Sequence, residues 1–305
     1  MSFVTPVPFA YLANKSPYSL DGLVALYNIA NTASYTSGSS TIYDLSGQGN
    51  TLTISASSAI TYIAASSSLQ ITSSTTTTAY GQIKSNSELV YNGTYPLHTT
   101  SSQFTIVNFV QSISGGDYQP LWYIGNTTNG AVYKQIMNAD WDTYSPYKIG
   151  IGSQVRPTLI NDYFNPYYNS GGGSIYSWGS TTGSPTYGSR KWSMQSYAKS
   201  SQTSDFNLNI AMRGYNAGGT WDNSSLAVLT LSTGSYPRVN GGDAQTTYQT
   251  NLSNSYLYIG KTPAIQAIQG ILPTYQFGGM AIYNRPLTTD EINKLWTYFI
   301  NGRTP

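Results

Sequence analysis

Apolar and polar positions along this chain fall into many short runs with a period of two. Thr51-Leu52-Thr53-Ile54 alternates as a half-buried strand must, because successive side chains point to opposite sides of a pleated backbone. Phe104-Thr105-Ile106-Val107-Asn108-Phe109-Val110 carries the strongest such pattern of the first half, β-branched and aromatic together. Leu23 to Tyr27, Ile60 to Ile63, Leu69 to Ile71, Leu121 to Gly125, Phe206 to Met212, Leu226 to Leu231, Tyr256 to Gly260 and Phe277 to Tyr283 repeat the signal. A single good helix pattern follows the last of these. Thr288 has the chemistry of an N-cap, Glu291 completes a capping box, and Ile292, Leu295, Trp296 and Phe299 recur at helical spacing before Gly302. Many strand signals, one terminal helix and no strand–helix alternation predict an all-β, two-sheet antiparallel sandwich with a short C-terminal helix.

Two stretches break the rhythm. Residues 1–19 hold Pro6, Pro8 and Pro17, which lack a ladder donor, and they read as an extended N-terminal arm. Residues 20–305 read as one domain with an insertion at about 126–205. There Pro157, Pro166, Pro185 and Gly171 to Gly173 interrupt short strand signals, and Tyr and Trp crowd in. The expectation is long loops with hairpins on one side of the domain.

Composition narrows the function. Charged residues are 9% of the 305, the net charge is +2, and no stretch concentrates the basic residues. Counterion release has little to act on, so nucleic acid is not an expected partner. The absence of Cys and a single His, His98, leave thiolate and His-rich zinc sites without ligands. No apolar run approaches the ~18 residues of a membrane-spanning helix, and the first residues lack a basic segment leading into an apolar one, so neither membrane insertion nor a signal peptide is expected. A nearly neutral chain with 28 Tyr and about a quarter Ser and Thr has the composition of proteins assembled inside a cell and then displayed outside it. A virion or an extracellular surface appendage is the expected location.

Several motifs follow one another in an order that resembles the laminin-G-like, concanavalin A-like lectin/glucanase superfamily. Tyr43-Asp44-Leu45-Ser46-Gly47-Gln48-Gly49-Asn50 is similar to its early Gly-rich turn, Phe104 to Val110 to an inner strand, and Gln119 to Gly125 to the strand after it. Leu226 to Leu231 with Val239-Asn240-Gly241, and then Tyr256 to Gly260, resemble later strands. Phe277-Gly278-Gly279-Met280-Ala281-Ile282-Tyr283-Asn284-Arg285-Pro286-Leu287-Thr288, with Glu291-Ile292, resembles the closing signature, with the Gly-to-Tyr spacing compressed. The resemblance spans about 20–300 and implies a jelly roll in which Tyr283 and Arg285 are architectural. It also implies loops that hold calcium. Asp44 and Asn50, flanking Gly47 and Gly49, are the candidate ligands; the rival reading is that the glycines only supply a positive φ.

Glycosidases of that superfamily use two closely placed Glu residues, and retaining hydrolysis needs carboxyl groups about 5–5.5 Å apart. This chain has two Glu in all, Glu88 and Glu291, and Glu291 belongs to the helix cap. Asp140-Trp141-Asp142 is the one acidic pair at i, i+2, and it reads as a turn, with a cation site or a dyad as rivals. His98 lies in a turn-like stretch and no Gly-x-Ser-x-Gly elbow occurs, so a nucleophilic triad is not expected. The insertion is the best functional candidate. Trp141 with Asp142, Tyr163, Tyr167, Tyr168 and Trp178 place flat rings beside Asn and Asp. Such rings stack on the C–H faces of sugars while the amides and carboxylates meet hydroxyls. The same residues suit packing against other subunits, or within the domain. The expected protein is therefore a non-enzymatic structural or attachment component of a virion or appendage. Its lectin-like domain would contact other structural subunits, as a homo- or hetero-oligomer, and cell-surface glycans. The alternative is a secreted polysaccharide-active glycoside hydrolase or a free carbohydrate-binding module.

Overall fold

The computed structural model describes residues 16–55, 59–72, 82–86, 89, 103–114, 119–125, 135–140, 149–154, 192–199, 208–214, 227–231, 256–260 and 274–303. Among these residues the strands form two antiparallel sheets. One sheet runs in the order β13 (Ala227–Leu231), β12 (Leu208–Gly214), β11 (Trp192–Lys199), β7 (Phe104–Ser114), β15 (Thr274–Tyr283), β5 (Ser68–Thr72) and β4 (Ile60–Ile63). Its eighth strand, β1 (Leu23–Asn28), pairs with the second half of β15, beyond the part that pairs with β5. The other sheet has seven strands: β10 (Ile149–Gln154), β9 (Gln135–Asp140), β8 (Gln119–Gly125), β14 (Tyr256–Ile259), β6 (Gln82–Ser85), β3 (Leu52–Ser55) and β2 (Thr41–Ile42). The helix α1 (Thr289–Ile300) follows β15.

Alternation along each strand divides the apolar residues between two clusters. Phe104, Ile106 and Val110 of β7 join Ile54, Ile83, Trp122, Leu257 and Ile259 of the opposite sheet in the core between the layers. Val107 and Phe109 point the other way and meet Leu295, Trp296 and Phe299 of α1. The helix therefore lies on the outer face of the eight-stranded sheet. Phe109 is stacked between Trp192, at 4.6 Å, and Phe299, at 5.7 Å, with the edge of Trp296 at 6.1 Å. Each fully buried side chain of this size contributes roughly 1.5–3 kcal/mol. Polar bonds cross the core as well: the Trp122 indole N–H donates to Asn108 Oδ1 at 3.3 Å, and the Tyr27 hydroxyl donates to the Asn50 carbonyl.

β15 can serve both clusters because it changes phase. Tyr275 and Phe277 face the inner core, and so do Met280 and Ile282, three residues further on rather than two or four. The register against β7 shifts between Phe277 and Gly279, a bulge that restores the alternation. Glycine is required at the bulge by close approach. A Cβ at Gly278 would stand 2.5 Å from Phe109 Cδ1, and one at Gly279 would stand 2.5 Å from both Phe299 Cε1 and the Tyr27 carbonyl oxygen. Arg303, beyond the helix, closes the same spot. Its guanidinium donates to the carbonyls of Gly278 and Ser66, both at 2.7 Å, and to Asn28 Oδ1 at 3.2 Å, while lying over the rings of Phe109 and Trp192. Burial pulls its pKa down to about 10, which still leaves it charged at neutral pH.

The stretch 126–205 departs in part from its expected character. It supplies the β9–β10 hairpin, which extends the seven-stranded sheet, and β11, which is no elaboration but an interior strand of the eight-stranded sheet. Trp192, Met194 and Ala198 alternate to one buried side of β11, with Ser196 in the same row. That polar residue and the short apolar stems hide the strand in the sequence. The Pro-rich arm lies outside the described residues up to residue 15. Its end packs on its own domain, with Tyr18 edge-on to Tyr298 at 4.8 Å.

Candidate functional site

The closing motif is architectural. The Arg285 guanidinium donates to both carboxylate oxygens of Glu291, at 2.5 and 3.0 Å, and reaches Asp21 Oδ2 at 2.9 Å and Ser19 Oγ at 2.9 Å. Glu291 accepts the Thr288 N–H at 2.9 Å and the Thr288 hydroxyl accepts the Glu291 N–H at 3.3 Å, a complete capping box. Tyr283 donates its hydroxyl to the Ser19 carbonyl at 3.0 Å, and burial pushes its pKa up. The hydrogen bond from Arg285 holds the Glu291 carboxyl at about 2, so it is ionised throughout the neutral range and has no proton to lend as a general acid. Glu88 lies outside the described residues.

Asp44 and Asn50 do come together, on the turn after β2. Asp44 Oδ1 accepts the N–H groups of Leu26 and Ser46, both at 2.9 Å. Its Oδ2 accepts the Asn50 N–H at 2.9 Å and lies 2.7 Å from the Ser46 hydroxyl. A carboxylate offers about four lone-pair directions; here three backbone N–H groups take three of them, and the one Ser46 hydroxyl proton faces either the fourth or the Val24 carbonyl at 3.0 Å. The Asn50 side chain donates to the Val24 carbonyl at 2.7 Å. Calcium needs about six to eight oxygen ligands, and among the described residues no three Asp, Glu or His side chains gather. These residues do not fit a calcium ion; they tie the turn to β1. Gly47 and Gly49 adopt φ of +81° and +80° with open space around them, the left-handed conformation the turn needs.

The aromatic candidates Trp141, Asp142, Tyr163, Tyr167, Tyr168 and Trp178 all lie outside the described residues. In the chain they fall in the connections 141–148 and 155–191, on either side of β10, the last strand of the seven-stranded sheet. His98 is likewise outside the described residues.

The outer face of the seven-stranded sheet presents a cluster that sequence reading passes over. Register brings together on it Thr53 of β3, Lys84 of β6 and Tyr258 of β14. Leu257 and Ile259 point into the core, which puts Tyr256 and Tyr258 on the outside. Lys84 Nζ sits 4.1 Å from the centre of the Tyr256 ring and 5.5 Å from that of Tyr258, and the two rings meet edge-on at 6.5 Å. Tyr258 is buried, forming the floor of the notch, while Tyr256 and Lys84 are half-buried. At the rim the Thr53 hydroxyl donates to the exposed Asn86 Oδ1. The Tyr-x-Tyr alternation is visible in the sequence. That it faces outward, and that Lys84 from 172 residues earlier lies across it, follows only from the register.

No protein-family model and no curated protein matches the sequence. Solved structures match the fold. The binding domain of botulinum neurotoxin serotype D superposes with a TM-score of 0.50 at 11% identity, covering 92% of this chain and 53% of that one. The binding domain of Paraclostridial Mosquitocidal Protein 1 gives 0.45 at 13% identity, over 92% of this chain and 53% of that one. A sialidase of Trypanosoma rangeli gives 0.47 at 14% identity, over 93% of this chain and 34% of that one. The chain spans about half the length of the two binding domains and about a third of the sialidase. At 11% identity the likeness to the serotype D binding domain is one of fold alone.

Proposed function

We propose that this chain is a non-enzymatic attachment and structural module, displayed on a virion or surface appendage, whose lectin-like sandwich contacts glycans and neighbouring subunits. One observation carries the non-enzymatic part. The chain has two Glu, and Glu291 is consumed by Arg285 and the helix cap, while the Asp44 carboxylate is enclosed by protein donors. Hydrolysis of a glycosidic bond by two carboxylates needs a pair with separated roles, one acid and one base or nucleophile. Support for a contact role comes from the rings of the 141–178 connections and from the use of a similar sandwich as the binding domain of a botulinum neurotoxin.

A glycan array is the test. Reproducible hits that vanish in Trp141→Ala and Trp178→Ala are expected. Sedimentation of the full chain at micromolar concentration, beside a variant lacking residues 1–19, reads the subunit-contact role. A defined multimer that falls apart in the variant is expected. Release of reducing ends from any polysaccharide, abolished by Glu88→Gln, would overturn the reading in favour of a hydrolase.

A further inference from the structure

We infer that the notch formed by Lys84, Tyr256 and Tyr258 on the outer face of the seven-stranded sheet is a binding site for a singly charged acidic sugar. The inference rests on the glycan-contact reading and names the site and the ligand class.

The charge comes first. Lys84 is the one charged residue among the described side chains of its row, its register partners being Thr53 and Tyr258. Among the described residues its ammonium meets two aromatic rings and no carboxylate. The acids with described side chains are engaged elsewhere or lie on the helix: Asp21 and Glu291 with Arg285, Asp44 in its turn, Asp290 at the start of α1. A ring face attracts a cation but does not neutralise it, so the ammonium keeps donors to offer an anion.

The shape follows. Lys84 Nζ lies over one face of the half-buried Tyr256 ring, which leaves the opposite face as the surface a pyranose would meet, and Thr53 with Asn86 supplies hydroxyl and amide groups at the other side of Lys84. An apolar ring face, a carboxylate and several hydroxyls are the complement of such a notch. A polyanion is not: tight phosphate-backbone binding is built from many cations, and this row has one. A neutral sugar would leave the ammonium unpaired on desolvation, which costs free energy.

The probes are glucuronic acid, its methyl ester and glucose, titrated into the full chain and read by saturation-transfer NMR. Glucuronate is expected to bind at least about tenfold more tightly than either neutral probe, a preference worth about 1.4 kcal/mol. Lys84→Gln removes the preference, Lys84→Arg keeps most of it, and Tyr256→Ala weakens all three probes. Raising the salt from 20 to 500 mM weakens glucuronate alone. Equal binding of the three probes, or a preference untouched by Lys84→Gln, overturns the acidic-sugar site while leaving glycan contact through the 141–178 connections intact. If no glycan of any kind binds, here or on the array, both readings fall together. Folding is checked by the thermal transition of each variant, since Lys84 and Tyr256 project from the sheet surface.

Discussion

The two sheets show opposite treatments of an outer face. On the eight-stranded sheet the helix closes over Phe109, Trp192 and Val107, and Arg303 plugs the bulge of β15 with three hydrogen bonds to oxygen. On the seven-stranded sheet no helix covers the row through Thr53 and Lys84 among the described residues; the hydroxyl of Thr53 and the ammonium of Lys84 are half-exposed there, beside the buried ring of Tyr258. Both faces use aromatic rings beside a basic group. In one the rings are stacked on each other and the guanidinium is spent on carbonyls; in the other the half-buried ring of Tyr256 lies under an ammonium that lacks an oxygen partner among the described residues. The difference separates stability from the proposed contact: the same residue types serve packing where they are sealed, and are offered for recognition, on our proposal, where they are left half-exposed.

Mutations on the sealed face should cost the most. Trp296→Ala removes a fully buried indole from the helix–sheet seam, with an expected loss of about 3–5 kcal/mol. Chemical denaturation would read this as a lower midpoint at unchanged slope. Arg303→Met removes the donor to the Ser66 carbonyl and one of the two donors to the Gly278 carbonyl, which keeps the Ile29 N–H at 3.0 Å, for an expected loss of about 1–3 kcal/mol. If Arg303→Met were as stable as the parent, the bulge would not depend on its plug.

Acid should open the same face from its end. Glu291 has an ordinary pKa of 4.5 and is held at about 2 in the fold by Arg285. A carboxyl depressed in the folded state contributes its stabilisation in full above its unfolded pKa and loses it as pH falls through the folded one. Stability should therefore drop between about pH 5 and pH 2. Glu291→Gln should be less stable than the parent at pH 7 and should lose less on acidification to pH 3. Parallel acid profiles for the two proteins would contradict the assignment.

On the open face the effect on stability should be the smallest. Lys84→Gln should shift unfolding by no more than about 0.5 kcal/mol, as surface changes do. A loss of several kcal/mol would mean that Lys84 is a packing residue and that the two faces are alike.

Legibility in the sequence followed the range of the interaction. The capping box of Thr288 and Glu291 was readable because both partners lie within one helical turn, and the strands of two-residue period were readable because burial of one face imposes it. The glycine turn at Gly47 and Gly49 was equally local. β15 was harder. The bulge at Gly278 resets the alternation and disguises one strand as two out-of-phase halves. β11 was hidden by Ser196 in its buried row. The Lys84–Tyr256 notch joins strands far apart in the chain, and no periodicity announces a cross-strand pairing of that range.

The central claim is that this sandwich holds sugar without cutting it. The most direct measurement is mass spectrometry of a defined oligosaccharide mixture eluted from the immobilised full chain after prolonged incubation. The account predicts a retained fraction enriched in acidic members, every one at its original mass. Shortened chains in the eluate, or a retained fraction no different from the input, would contradict it.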